Sequence, residues 1–110
     1  MTRPPAIRPS SIKKRADFRR VLDTGRRRRA GGLVVVRSPG RPDQIRIGLV
    51  AGKRIGNAVQ RNRIRRRLRA AIGAADLPVG FDYVLIPDRE VGEAAYPDLV
   101  QWVAAAGRLD

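Results

Sequence analysis

A small α/β (α+β) two-layer sandwich, with helices laid on a short sheet, is the fold this sequence predicts. Three observations predict it. Three stretches rich in strand-forming apolar residues, 33–37, 44–50 and 81–86, are interspersed with three stretches whose apolar residues recur at helical spacing. Glycine and proline punctuate the ends of these stretches. The 110 residues contain no internal repeat and no linker long enough to divide them, so one domain with one modest core is expected.

The elements run α-β-β-α-β-α. Residues 1–11 hold three prolines and two arginines without periodicity and read as a flexible basic arm, leaving 12–110 as the domain. Arg15–Thr24 reads as a short helix, because Phe18, Val21 and Leu22 fall at i, i+3 and i+4; Gly25 suits a left-handed C-terminal cap. Arg26–Arg29 and Gly31–Gly32 read as a solvated basic loop, with a peripheral contact to a binding partner as the alternative. Leu33–Arg37 is a β-branched strand, and Ser38–Asp43, with two prolines, is a turn. Gln44–Val50 alternates Ile45, Ile47 and Leu49 against Gln44, Arg46 and Gly48, which predicts a second strand paired with the first as a hairpin.

Ala51–Gly56 is a glycine-flanked loop. Asn57 is a strong N-cap, and Gln60 three residues later completes a capping-box pattern. Ile64, Leu68, Ala71 and Ile72 mark the buried face of the helix that follows, and Gly73 or Gly80 ends the region, with Pro78 forbidding a long extension. Phe81–Ile86 is a third strand, stopped by Pro87. Pro97 in a first helical turn, then Leu99, Trp102, Val103 and Ala106, make a closing helix capped by Gly107, with Trp102 assigned to the core.

Composition narrows the function. With no Cys there is no disulfide framework and no thiolate chemistry; with no His the commonest general base and metal ligand is missing. Both absences weigh against a self-sufficient enzyme. Net charge is +14, far beyond what solubility requires, and it points to a polyanion. The charge is also uneven: residues 1–75 hold 22 Lys+Arg against three acids, a net of +19, while residues 76–110 hold two arginines against seven acids, a net of −5. No apolar run approaches the roughly 20 residues of a membrane span, and no apolar signal core follows the basic N-terminus. A soluble cytoplasmic protein with no membrane partner is the expectation.

Gly56–Ala71 reads GNAVQRNRIRRRLRAA and packs six arginines into Arg61–Arg69. Ile64, Leu68 and Ile72 step by four along one side, so Asn62, Arg63, Arg66 and Arg69 project away from it and Arg65 and Arg67 flank it. Arg61 shares the azimuth of the buried face and is expected at the sheet edge, near Lys53 and Arg54. No Glu or Asp at i+3 or i+4 neutralises the strip, so a merely solvated face does not account for it. Nucleic-acid binding does. Arginine with a single Asn offers little to read a major groove, which favours the backbone of folded RNA over DNA.

At this point the residues resemble a known family. KRIGNAVQRNRIRRRLRAA, Lys53–Ala71, is similar to the arginine-rich signature of the bacterial ribonuclease P protein component, through GNAV (Gly56–Val59), RNR (Arg61–Arg63) and the basic pair Arg65–Arg66. Asp17–Phe18, the stretch Ile45–Lys53 and the stretch Asp82–Ile86 agree in outline, so the likeness runs from about Ile12 to Ala106.

The resemblance implies a left-handed β-α-β crossover around the arginine helix, where pattern alone suggests a right-handed one. It implies a protein subunit without catalytic residues. Its partner RNA carries out the Mg²⁺-dependent removal of the 5′ leader from precursor tRNA, with the metal held mainly by RNA phosphates. Arg61, Asn62, Arg63, Arg65, Arg66, Arg67, Arg69, Lys53 and Arg54 are then expected on the catalytic RNA. Phe18, Leu22, Val34 and Val36, bordered by Lys53, Arg61 and Asn62, are expected to form a cleft for the leader. Ordinary core packing is the alternative for Phe18. Family members often carry aromatics where this chain has Leu22 and Val36, which implies a more electrostatic hold on the leader. Asp82 and Asp88 are candidates for a weak metal contact. A ribosomal or other structural RNA-binding protein with no role in cleavage is the main rival, and a protein-only nuclease would need clustered carboxylates that the scattered acids do not offer.

Overall fold

The computed structural model describes residues 8–108, so the first seven residues of the predicted arm lie outside the described residues. Its five strands are β1 (Ser10–Ser11), β2 (Arg26–Ala30), β3 (Leu33–Pro39), β4 (Ile45–Leu49) and β5 (Phe81–Pro87). They form one sheet in the spatial order β1-β4-β5-β3-β2. The helices are α1 (Arg15–Thr24), α2 (Ala58–Ala75), α3 (Glu90–Glu93) and α4 (Tyr96–Gly107), with a 3-10 turn at Lys53–Ile55. The predicted α-β-β-α-β-α sandwich is present. β1, β2, the 3-10 turn and α3 are additions to it.

The expected hairpin between the second and third apolar stretches does not form. β5 lies between β3 and β4, antiparallel to the first and parallel to the second. The reason is a long-range meeting of two loops. The Gly40 N–H donates to Gly80 O at 2.9 Å, and the Gly80 N–H donates to Gln44 O at 2.8 Å, so the backbone entering β5 is bonded into the mouth of the β3–β4 loop. β5 is also buried on both faces, which suits a central strand. The chain does make a hairpin, but between β2 and β3, registered from Arg26 opposite Arg37 to Ala30 opposite Leu33. The arginine run expected to be a loop is therefore an edge strand, a position where charged side chains are tolerated on both faces. The last residues of the expected arm, Ser10 and Ser11, add a short parallel strand to β4.

Period-two alternation gives the sheet two covered faces. On one, Leu33, Val35, Ile47, Tyr83 and Leu85 pack under α2 (Ile64, Leu68, Ala71, Ile72) and α4 (Leu99, Val103, Ala106) to form the main core. On the other, Val36 and Val84 pack under Val21 of α1 and Ile12. β4 and β5 are parallel neighbours joined across α2, the β-α-β unit the resemblance implied.

The cap of α2 is as read: the Gln60 N–H donates to Asn57 Oδ1 at 2.9 Å and the Asn57 N–H donates to Gln60 Oε1 at 2.8 Å. Such a cap is worth about 1 kcal/mol. The helix runs through Gly73 to Ala75 and ends on Asp76 in the left-handed region, φ 54°. Buried Ala75 and Leu77 carry it past the glycine expected to stop it. Gly25 is not a left-handed cap; its backbone is extended, φ −76° and ψ 160°. It is needed for closeness instead, since a Cβ there would sit 2.7 Å from Val36 Cγ1.

One ion network fastens α1 to the sheet. The Asp82 side chain on β5 is only 1% exposed and projects to the α1 face. Arg46 of β4 donates to it through Nε at 2.9 Å and a terminal nitrogen at 2.7 Å, and Arg20 of α1 donates to the same carboxylate. Arg46 also lies 3.4 Å from Asp17 of α1. Burial alone would raise the Asp82 pKa, but the hydrogen bonds and charges of Arg46 and Arg20 outweigh it and hold the group below the ordinary carboxylate value. A pKa depressed by folding contributes stability in full above the unfolded value, and that stability is lost as pH falls through the folded one. Asp82→Asn is therefore expected to cost about 2 kcal/mol at neutral pH, less than for a fully buried pair because both arginines are partly solvated. Urea melts at stepped pH should show the gap to wild type closing below about pH 4.

Candidate nucleic-acid interface

The azimuths read along α2 are those observed. Ile64, Leu68 and Ile72 are buried, Asn62, Arg63, Arg66 and Arg69 are exposed, and Arg65 and Arg67 are half-buried. Lys53 and Arg54 are exposed on the 3-10 turn before the helix. Arg61 is half-buried, as its position on the apolar side of the first turn requires, and its Nε has no hydrogen-bond partner among the described residues.

Arg67 departs from the expectation. Its guanidinium donates to Val91 O at 2.6 Å and to Ala94 O, filling the carbonyls at the end of α3. That occupation makes it a brace between α2 and α3 rather than part of the outward strip. Sequence spacing placed it correctly at the flank but could not show the carbonyls waiting there.

The second surface lies where the edge of the sheet passes between α1 and α2. A cavity of about 420 Å³ opens there, lined by Ser10, Ile12, Phe18, Gly48, Arg65 and Arg69 among others. Phe18 is half-buried: it packs on the Val21–Val36–Val84 cluster, and its ring also lines the cavity. Its ring lies directly over Gly48, where any Cβ would overlap it. Arg65 and Arg69 line this same cavity, so the cationic face and the aromatic residue are contiguous at this edge.

Leu22 and Val34 are half-buried on the α1 face, as expected of a cleft floor. Val36 is fully buried beneath α1 and is unavailable to a ligand, a correction that follows from the close seating of Gly25. Two residues of this floor were missed. Ile86, paired with Val34 across the β3–β5 ladder, is half-buried there. Val50, whose N–H still bonds to Leu85 O beyond β4, is 38% exposed. The alternation Val84, Ile86 was the signal that could have found the first. The chain leaves β4 at this end of the sheet and reaches Lys53 three residues later.

The acids expected as weak metal contacts are otherwise engaged. Both Asp82 oxygens are bound by arginine, and Asp88 lies 3.6 Å from Arg29. Among the described residues no cluster of three or more acids could hold a metal ion. Trp102 packs on the main core, with its indole over Gly31, φ 54°, in the β2–β3 turn. No described helix is long and apolar enough to cross a membrane.

A strongly basic α/β sandwich, with an arginine-faced helix running beside an apolar cleft, defines the class: a small, highly cationic α/β protein. Several known proteins similar to it share one description. The ribonuclease P protein from Thermotoga maritima superposes with a TM-score of 0.77 at 23% identity, covering 89% of this chain and 94% of that one. That from Staphylococcus aureus gives 0.70 at 26% identity, covering 96% and 90%. The ribonuclease P protein component of Paramagnetospirillum magneticum is 40% identical over 109 residues, 92% of this chain and 82% of the relative. That of Chloroflexus aggregans is 41% identical over 95 residues, 84% and 70%. A family model described as Ribonuclease P matches residues 7–108. The chain belongs to the ribonuclease P protein component family.

The split among the helix arginines is measurable. Arg67→Ala should destabilise the fold by about 1–2 kcal/mol, since it strips charged donors from two carbonyls. Arg66→Ala should stay within about 0.5 kcal/mol of wild type in the same denaturant melts.

Proposed function

We propose that this chain is the RNA-binding subunit of ribonuclease P, assisting endonucleolytic removal of the 5′ leader from precursor tRNA. One observation carries the reading: an arginine face on α2 runs into a cavity that also holds Phe18. A single chain can thus grip a structured RNA with one side of the helix and a single strand with the other. Arg63 and Arg66 point outward toward the catalytic RNA. Lys53, Arg54 and Asn62 extend that surface, and Arg61 lies at its edge. Arg65 and Arg69 bridge to the leader, which stacks or packs on Phe18 and lies over Leu22, Val34 and Ile86. Stacking on one aromatic is worth roughly 1–3 kcal/mol.

The chain carries neither His nor Cys, and its acids at the expected contact positions are held by arginine. The Mg²⁺ requirement of the reaction falls to the phosphates of the partner RNA. What the protein supplies is charge neutralisation and placement: guanidinium groups lower the repulsion between two RNAs, and the cleft fixes where the leader enters.

Reconstitution with the cognate catalytic RNA at low Mg²⁺ tests this. Precursor-tRNA cleavage should rise well above RNA alone; no rise would favour a structural RNA-binding protein without a role in cleavage. Arg63→Ala with Arg66→Ala should weaken assembly of the complex and lower the salt slope of binding by about 2. Phe18→Ala should leave assembly intact and weaken precursor affinity about tenfold, with the loss confined to substrates that carry a leader.

A further inference from the structure

The β2 edge strand lies outside the two surfaces described above. Its pairing with β3 sets Arg27 opposite Val36 and Arg29 opposite Val34, and Arg26 and Arg28 opposite Arg37 and Val35. Because cross-strand partners share a face, Arg27 and Arg29 belong to the α1 face, beside the floor made by Leu22, Val34 and Ile86. Arg28 belongs to the other face, where it donates to Arg108 O at 2.7 Å at the end of α4.

We propose that Arg27 and Arg29 form a phosphate rail along the cleft, binding the sugar-phosphate backbone of the single strand that lies on the apolar floor. The inference rests on the function proposed above and adds a site to it. Three observations support it. Both side chains are exposed, on the face of an edge strand opposite the one that meets α4. Residues two apart on a strand are about 6.7 Å apart, comparable to the spacing of successive phosphates in an extended single strand. The only acid paired with either of them, among the described residues, is Asp88, at 3.6 Å with both partners well exposed. A pair so open is weak and can be exchanged for a phosphate at little cost. With Lys53 and Arg61 on the β4 side, the floor then has cationic groups on both borders and bases have the apolar strip between them.

The test uses the reconstituted complex of full-length chain and catalytic RNA, with precursor tRNAs bearing leaders of increasing length and a leaderless tRNA. Arg27→Gln/Arg29→Gln is compared with Arg26→Gln/Arg108→Gln, which removes the same charge from the opposite side. The rail double variant should bind long-leader substrate roughly tenfold more weakly and lower the salt slope by about one to one and a half, with leaderless binding and assembly unchanged. Equal losses in both double variants, or an equal loss for leaderless tRNA, would overturn the rail. If wild type shows no dependence on leader at all, the functional reading itself fails, and the two failures are told apart. Should the rail variant fold poorly, a thiouridine-substituted leader cross-linked to the wild-type complex decides: adducts within residues 26–30 support the rail, and their absence rejects it.

Discussion

Everything at the cleft depends on how α1 is held across the sheet. Its ten residues bury one side chain fully, Val21, and that is too little to fix a helix by apolar contact alone. The buried carboxylate of Asp82 makes up the difference. It draws Arg20 from the helix and Arg46 from the neighbouring strand to one point, and Asp17 answers Arg46 from the helix side. The line of α1 over β4, β5 and β3 is set there. So is the gap that exposes Phe18 at one end and Leu22 with Val34 further along.

The many arginines divide into two kinds of work. Some hold the fold together: Arg20 and Arg46 at Asp82, Arg67 at the end of α3, Arg28 at the end of α4, and Arg37, which is buried with its guanidinium 4.0 Å over the Phe81 ring. Burial lowers the Arg37 pKa, and the same neighbourhood pushes that of Tyr83 up to about 12 through desolvation, so Tyr83 stays neutral and keeps its hydroxyl bond to Pro78 O. The others face outward and carry the excess charge. A count of basic residues therefore overstates the surface available to RNA.

Much of this was legible in advance. α1 was read to the residue because three apolar side chains and the glycine behind them are a local signal, and the start of α2 because Asn57 and Gln60 form a cap within one turn. The outward azimuths of Asn62, Arg63, Arg66 and Arg69 followed from helical geometry alone. Strand order did not, because it depends on Gly40, Gln44 and Gly80 meeting across a loop, a long-range event that no window contains. The arginine strand was misread for a related reason: charge signals solvent, and an edge strand is the one place where a strand is solvated. The position of Phe18 on the inner side of α1 and the exposed face of α2 are both readable from helical spacing. Burial of Val36 and bracing of Arg67 appear only when the second layer is in place.

The sheet has two free rims, and each is protected differently. One ends in β1, only two residues long. The other ends in β2, which presents four guanidinium-bearing side chains in a row. A second copy of the chain approaching that rim to extend the sheet would bring eight like charges into register, and the short rim offers too few amides to nucleate anything. Such borders resist fibril growth and self-stacking. A chain carrying so much positive charge is thereby kept from pairing with itself along the rims of its own sheet.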